Sequence, residues 1–133
     1  MSRSSTAKGK TRKLEATLRA FALSYPEASE EFPWGHLAVK VRGKAFLFMG
    51  TQENELSFSV KLPESRESAL LFPFTEPTGY GLGASGWVTS TLKPGTAAPI
   101  QLLKSWIGES YRAVAPRKLA AGLVPGAKGA REK

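Results

Sequence analysis

Leu14, Leu18, Phe21 and Tyr25 recur at the three-to-four spacing of one helix face along "LEATLRAFALSY", and Pro26 closes the pattern. After the acidic stretch "PEASEEFPWGH", read as a loop, the period changes to two. Leu37, Val39 and Val41 alternate with Ala38 and Lys40, Arg42-Gly43 is a two-residue turn, and "KAFLFM" returns as a strand apolar on both sides. "ELSFSVKL" alternates cleanly, with Leu56, Phe58, Val60 and Leu62 inward and Ser57, Ser59 and Lys61 outward. The three strands form a meander.

A short helix is predicted over "PESRESALLF", opened by Pro63 and ended by Pro73. "PFTEPTGYGLGASG" is rich in turn formers. "WVTSTL" reads as a further strand, with Trp87, Thr89 and Thr91 on one side and Val88, Ser90 and Leu92 on the other. Residues 99–114 place Ile100, Leu103, Trp106, Ile107, Ser110, Tyr111 and Val114 on one broad stripe of a long helix. "RKLAAGL" adds a last helical turn. These elements predict an α+β fold: an antiparallel sheet with helices at both ends of the sequence.

The 133 residues suffice for one ordinary domain, and 41% hydrophobic content supports a core. The absence of cysteine excludes disulfides and thiolate chemistry, and suits a reducing cytoplasm. No apolar run reaches the roughly 20 residues of a membrane helix, and the basic N-terminus is not followed by the apolar stretch of a secretory signal. The net charge is +8, but it is unevenly spread. Residues 1–13 carry Arg3, Lys8, Lys10, Arg12 and Lys13 with no acid, and 124–133 carry a net +2. The span 14–123 is nearly neutral, with 11 basic and 10 acidic residues. The expected organisation is a basic flexible tail over 1–13, one domain over 14–123 and a second flexible tail over 124–133.

"GLGASG" at Gly81–Gly86 has the G-x-G-x-x-G spacing of a dinucleotide-binding turn. That motif needs a strand before it and a helix after it, because helix amides hold the pyrophosphate. Here "WVTSTL" follows, a strand pattern, and no β-α-β alternation surrounds it. Gly79, Gly81, Gly83 and Gly86 are read as turn formers, and no cofactor is expected.

The order and spacing of "EEFPWGHLAVKVRGKAFLFM", "LSFSVKLPESRESALLF", "EPTGYGLGASGWVT" and "SWIGESYRAVAPRKLAAGL" resemble the MmcQ/YjbR family across about residues 14–123. The resemblance implies a CyaY-like, double-wing topology and a DNA-binding role.

Catalytic machinery is sparse. His36 is the single histidine and there is no aspartate, so a Ser-His-Asp triad cannot be built. Glu30 and Glu31 are adjacent and poorly placed to converge on a metal with His36. Glu64 and Glu67 are read as helix-start charges. No catalytic or metal-binding residue is expected, and the protein is read as a monomeric non-enzyme with no membrane partner. Lys40, Arg42 and Lys44 surround one hairpin tip, and Lys61 shares a polar face with Lys40 if the strands align. Tyr80 and Trp87 flank the glycine loop as candidate stacking surfaces. These six are the candidate nucleic-acid-binding residues, with DNA as the expected partner. The alternative is a small-ligand or protein-interaction domain, and the plain reading of the hairpin cations is that they keep a strand edge soluble.

Overall fold

The computed structural model describes residues 2–32, 36–79, 82–93 and 99–121. In chain order, they form α1 (Ser2–Leu23), β1 (Ala28–Glu31), β2 (Leu37–Val41), β3 (Lys44–Gln52), β4 (Glu55–Lys61) and α2 (Arg66–Ala69). Then come β5 (Thr75–Pro77), a 3-10 turn over Leu82–Ser85, β6 (Trp87–Leu92), α3 (Ile100–Val114) and α4 (Arg117–Ala121). The six strands make one sheet in the order β1-β2-β3-β4-β6-β5, and every pairing is antiparallel. The fold is the α+β arrangement that the period changes predicted.

Helices α1 and α3 pack on one face of the sheet. Leu56, Phe58, Val60 and Leu62 all point into that layer and are at most 1% exposed, as the alternation predicted. Leu18 of α1 and Leu103, Ile107 and Tyr111 of α3 close over them with no exposure at all.

"KAFLFM" is apolar on both sides for a specific reason. Val39 pairs with Leu47, but Lys40 pairs with Ala45, so Phe46 is an extra residue in β3. This β-bulge turns Phe46 and Leu47 toward the same layer, and both are completely buried. A bulge leaves backbone groups without ladder partners. Here Ser110 supplies them: its hydroxyl accepts from Lys61 N–H at 2.9 Å and donates to Phe46 C=O at 2.6 Å. Phe46 also meets Tyr111 edge-on at 5.1 Å, and Tyr111 stacks on Tyr25 at 4.6 Å. Tyr111 Oη donates to Pro26 C=O at 2.7 Å, fastening the end of α1 to α3. Gly108 makes room for this cluster, since a Cβ there would lie 2.8 Å from Tyr25 Oη.

Both tight hairpins use paired left-handed residues. Arg42 and Gly43 have φ of 53° and 82°, and Glu53 and Asn54 have φ of 53° and 68°. Two positive φ values in a two-residue loop match the twist of the strands they join.

Four boundaries differ from the sequence-based expectations. Helix α1 begins at Ser2, so the boundary expected at residue 13 falls inside it, and Thr11 is buried with its hydroxyl donating to Asn54 C=O at 2.7 Å. Residues 28–31, expected in a loop, form edge strand β1 on β2. Residues 75–77 form the opposite edge strand, β5. The helix expected from Pro63 is the single turn α2, and Ser65 at its start makes no side-chain cap. Glu109 of α3 does this instead. Its Oε2 accepts from Glu64 N–H at 2.8 Å and Ser65 N–H at 2.9 Å, and its Oε1 from Ser65 Oγ at 2.6 Å. No helix among the described residues is long and apolar enough to cross a membrane.

Candidate functional site

The second face of the sheet carries Lys40 of β2, Phe48 and Gly50 of β3, Ser57, Ser59 and Lys61 of β4, and Trp87, Thr89 and Thr91 of β6. Their neighbours along each strand point into the helix layer. Lys40 and Lys61 therefore do share a face, as the strand phases predicted. They do not form an open cationic strip.

Lys40 Nζ lies 2.9 Å from Glu31 Oε1, because β1 pairs with β2 and sets Glu31 on the same face. Arg42, at the hairpin tip, closes a two-pronged ion pair on Glu27, with Nη2 at 3.0 Å from Oε2. On the helix side, Arg19 of α1 grips both oxygens of Glu30 at 2.6 and 2.7 Å. Hydrogen bonding from Arg42 and Arg19 holds the Glu27 and Glu30 carboxyls below their usual range, against a smaller opposing effect of burial. The same bonds raise the two guanidinium groups. Three glutamates from the segment read as an acidic loop thus neutralise cations from three different elements.

Of the remaining candidate residues, Lys44 is exposed and makes no ion pair among the described residues. Lys61 is half-buried opposite Trp87 in the β4–β6 register. Trp87, expected as a stacking surface, is only 7% exposed. It packs against Phe48 with ring centres 5.4 Å apart. Burial removes the free ring face that base stacking requires. Tyr80 lies outside the described residues.

Gly86 has φ of 94° and leads directly into β6. Its carbonyl accepts from Leu62 N–H at 2.8 Å, which seats the turn against the end of β4. The glycine is required by its backbone conformation, and the pattern that resembled a nucleotide turn is the entry to an antiparallel strand.

Three hydroxyls on the open face satisfy one another across β4, β6 and the β5 edge. Ser59 Oγ is 2.8 Å from Thr89 Oγ1, which is 2.9 Å from Thr78 Oγ1. The next row holds His36, Gly50, Ser57 and Thr91. Gly50 pairs with Ser57 and Ser57 with Thr91, while His36 lies over Gly50 at the start of β2. Among the described residues no three His, Cys, Asp or Glu side chains gather at one point.

The sequence reading missed the partners rather than the cations. Nothing in "PEASEE" marks it as a strand, and its three carboxylates find Arg19, Lys40 and Arg42 only once β1 is paired. Glu109 was missed as well. Ser110 was visible as a polar residue within an apolar stripe, and that is the signal of its buried role.

The chain matches the YjbR family model over residues 23–113. It is similar to the crystal structure of Deinococcus radiodurans protein DR2400, which carries the family-model domain DUF419. The identity is 28% and the TM-score 0.60, over 74% of this chain and 75% of that one. Curated proteins give no match. The matched span runs from the last residue of α1 through β1–β6 to the last turn of α3, so it takes in the whole sheet with its bulge and the cap from Glu109. On that span this chain belongs to the YjbR family.

Proposed function

We propose that the protein is a non-enzymatic, weak and sequence-tolerant DNA-binding module whose phosphate contacts come chiefly from the first half of α1. The observation that carries the reading is the contrast in charge availability. Residues 1–13 hold five cations and no acid, and residues 2–13 continue as helix into the folded body. Arg12 and Lys13 are exposed and enter no ion pair among the described residues. Lys40 and Arg42, by contrast, are already paired to Glu31 and Glu27. A helix lined with Lys and Arg offers phosphate contacts, which hold a duplex without reading its sequence. Lys44 extends the surface at the hairpin tip.

The test is fluorescence anisotropy of the full chain on a labelled duplex across a salt series. Each phosphate contact contributes about −0.9 to the slope of log K against log salt. Changing Lys8, Lys10, Arg12 and Lys13 to Gln removes the four charges with a residue of similar helix propensity and leaves Thr11 untouched. It is expected to flatten the slope by two or more contacts, whereas Lys44→Ser removes at most one. An unchanged slope in the quadruple variant rejects the reading. The small-ligand reading rests on a different observation, the unpaired row on the open face.

A further inference from the structure

The row His36–Gly50–Ser57–Thr91 floors a hollow of about 260 Å³ whose rim is completed by Gln52 and Glu55. Two adjacent rows of the same face differ in one respect. Ser59, Thr89 and Thr78 are bonded to each other. The hydroxyls of Ser57 and Thr91, the Gln52 amide, the His36 imidazole and the Glu55 carboxyl have no hydrogen-bond or ionic partner among the described residues. Five groups with free hydrogen-bonding capacity therefore face one hollow.

Gly50 shapes the space. A Cβ at this position would stand 2.5 Å from His36 Nδ1, so only glycine lets the imidazole lie against the strand. The small residues Gly50 and Ser57 make the floor low, and His36 and Thr91 stand at either end of the row.

Charge decides what fits. In a chain of net charge +8, this hollow is lined, among the described residues, by Glu53 and Glu55 and by no Lys or Arg. Glu55 is half-buried and makes no ion pair among the described residues. Two carboxylates disfavour a phosphate or a carboxylic acid, and they favour an ammonium group. Hydroxyl and amide groups around them suit a ligand that also carries hydroxyls. The volume is below the 300 Å³ at which drug-sized pockets begin, about right for one ring of sugar size.

We propose that this hollow binds a small hydroxylated amine, with its ammonium at Glu55 and its hydroxyls on Ser57, Thr91 and Gln52. The site is independent of the DNA reading, since its charge repels phosphate.

The probes are glucosamine, glucose and glucuronate, which share a ring and differ in charge. Each is titrated into the ¹⁵N-labelled full chain at a pH where the amine is protonated, and backbone amide shifts are followed. Glucosamine is expected to move the amides of Gly50, Ser57 and Thr91, glucose to move them more weakly, and glucuronate to leave them in place. Glu55→Gln is expected to weaken glucosamine about threefold, the worth of one partly exposed ion pair, and to bring it level with glucose. Ser57→Ala, on an exposed position, is expected to weaken both sugars. Gly50→Ala displaces His36 and is expected to weaken both. If it does not fold, the Glu55 and Ser57 variants still decide. No shift at these amides, equal binding of all three probes, or full affinity in Glu55→Gln overturns the proposal.

Discussion

Glu109 on α3 and the three glutamates at β1 are the same side chain in opposite settings. Glu109 is 8% exposed and spends its oxygens on two backbone N–H groups and a hydroxyl, so that α2 has a start. Glu27, Glu30 and Glu31 stand at the surface and spend theirs on Arg42, Arg19 and Lys40. The first arrangement holds the chain in shape, because an unmet buried donor costs more than the bond itself gains. The second contributes little to stability, because exposed pairs are screened and flexible. What it sets is how much of the positive charge other molecules can reach.

The comparison is broken most directly at Glu109. Glu109→Ala strands the N–H groups of Glu64 and Ser65 at a partly buried helix start, and about 2–3 kcal/mol of stability is expected to be lost. Urea denaturation measures this. A loss under about 0.5 kcal/mol, the level of an ordinary surface change, would mean that α2 does not depend on the carboxylate.

Ser110→Ala tests the same principle one residue along. It removes one hydroxyl that serves both Lys61 N–H and Phe46 C=O at the bulge. The expected loss is about 1–2 kcal/mol, read from the same denaturation curves. Ser110→Thr keeps the hydroxyl but adds a methyl at a fully buried site, so it separates the bond from the packing.

The surface glutamates are expected to behave the other way. Glu27→Gln with Glu31→Gln frees Arg42 and Lys40 while leaving stability nearly unchanged. Duplex affinity is expected to rise, and the salt slope to steepen by up to about 0.9 for each cation freed. If stability falls as it does for Glu109→Ala while the slope stays fixed, β1 is a structural strand and nothing more.

The strands and helices that were legible in the sequence are those whose side chains obey one period. "ELSFSVKL" and the α3 stripe needed no partner to be read, since burial on one face writes its own pattern. β1 and β5 were illegible because edge strands of four and three residues, with glutamate, serine and proline among them, carry no apolar period. The extent of α1 was hidden differently. Residues 2–13 have almost no apolar residue, so helix there cannot be told from a basic tail by hydrophobic spacing. The candidate site fared worse for a related reason. Lys40, Arg42 and Lys44 were found by type and spacing, but whether a cation is available depends on its neighbours in space. Trp87 reads as a stacking surface because it flanks the glycine loop, and only Phe48 from another strand shows that it is buried. The His36 row went unread because it spans four chain segments, and only the strand register assembles it.

The smallest expected effect is the pH dependence of the same ion pairs. Glu27 and Glu30 have folded-state pKa values below the ordinary 4.5, chiefly through hydrogen bonds from Arg42 and Arg19. A carboxyl whose pKa is lowered by folding binds fewer protons in the native state than in the unfolded chain. Its contribution is therefore complete above pH 4.5 and is lost as the pH falls through the depressed folded values. The arginines stay charged throughout, so the loss belongs to the carboxylates alone. Thermal unfolding at a series of pH values should show a shallow decline that starts near pH 4.5. The decline should be weaker at high salt, where exposed pairs are screened over about 10 Å or less. Glu27→Gln with Glu30→Gln is expected to flatten that part of the profile while leaving the neutral-pH melting temperature nearly unchanged. An acid limb of the same depth in the double variant would move the pH sensitivity to other carboxylates and leave the β1 pairs a role only in masking charge.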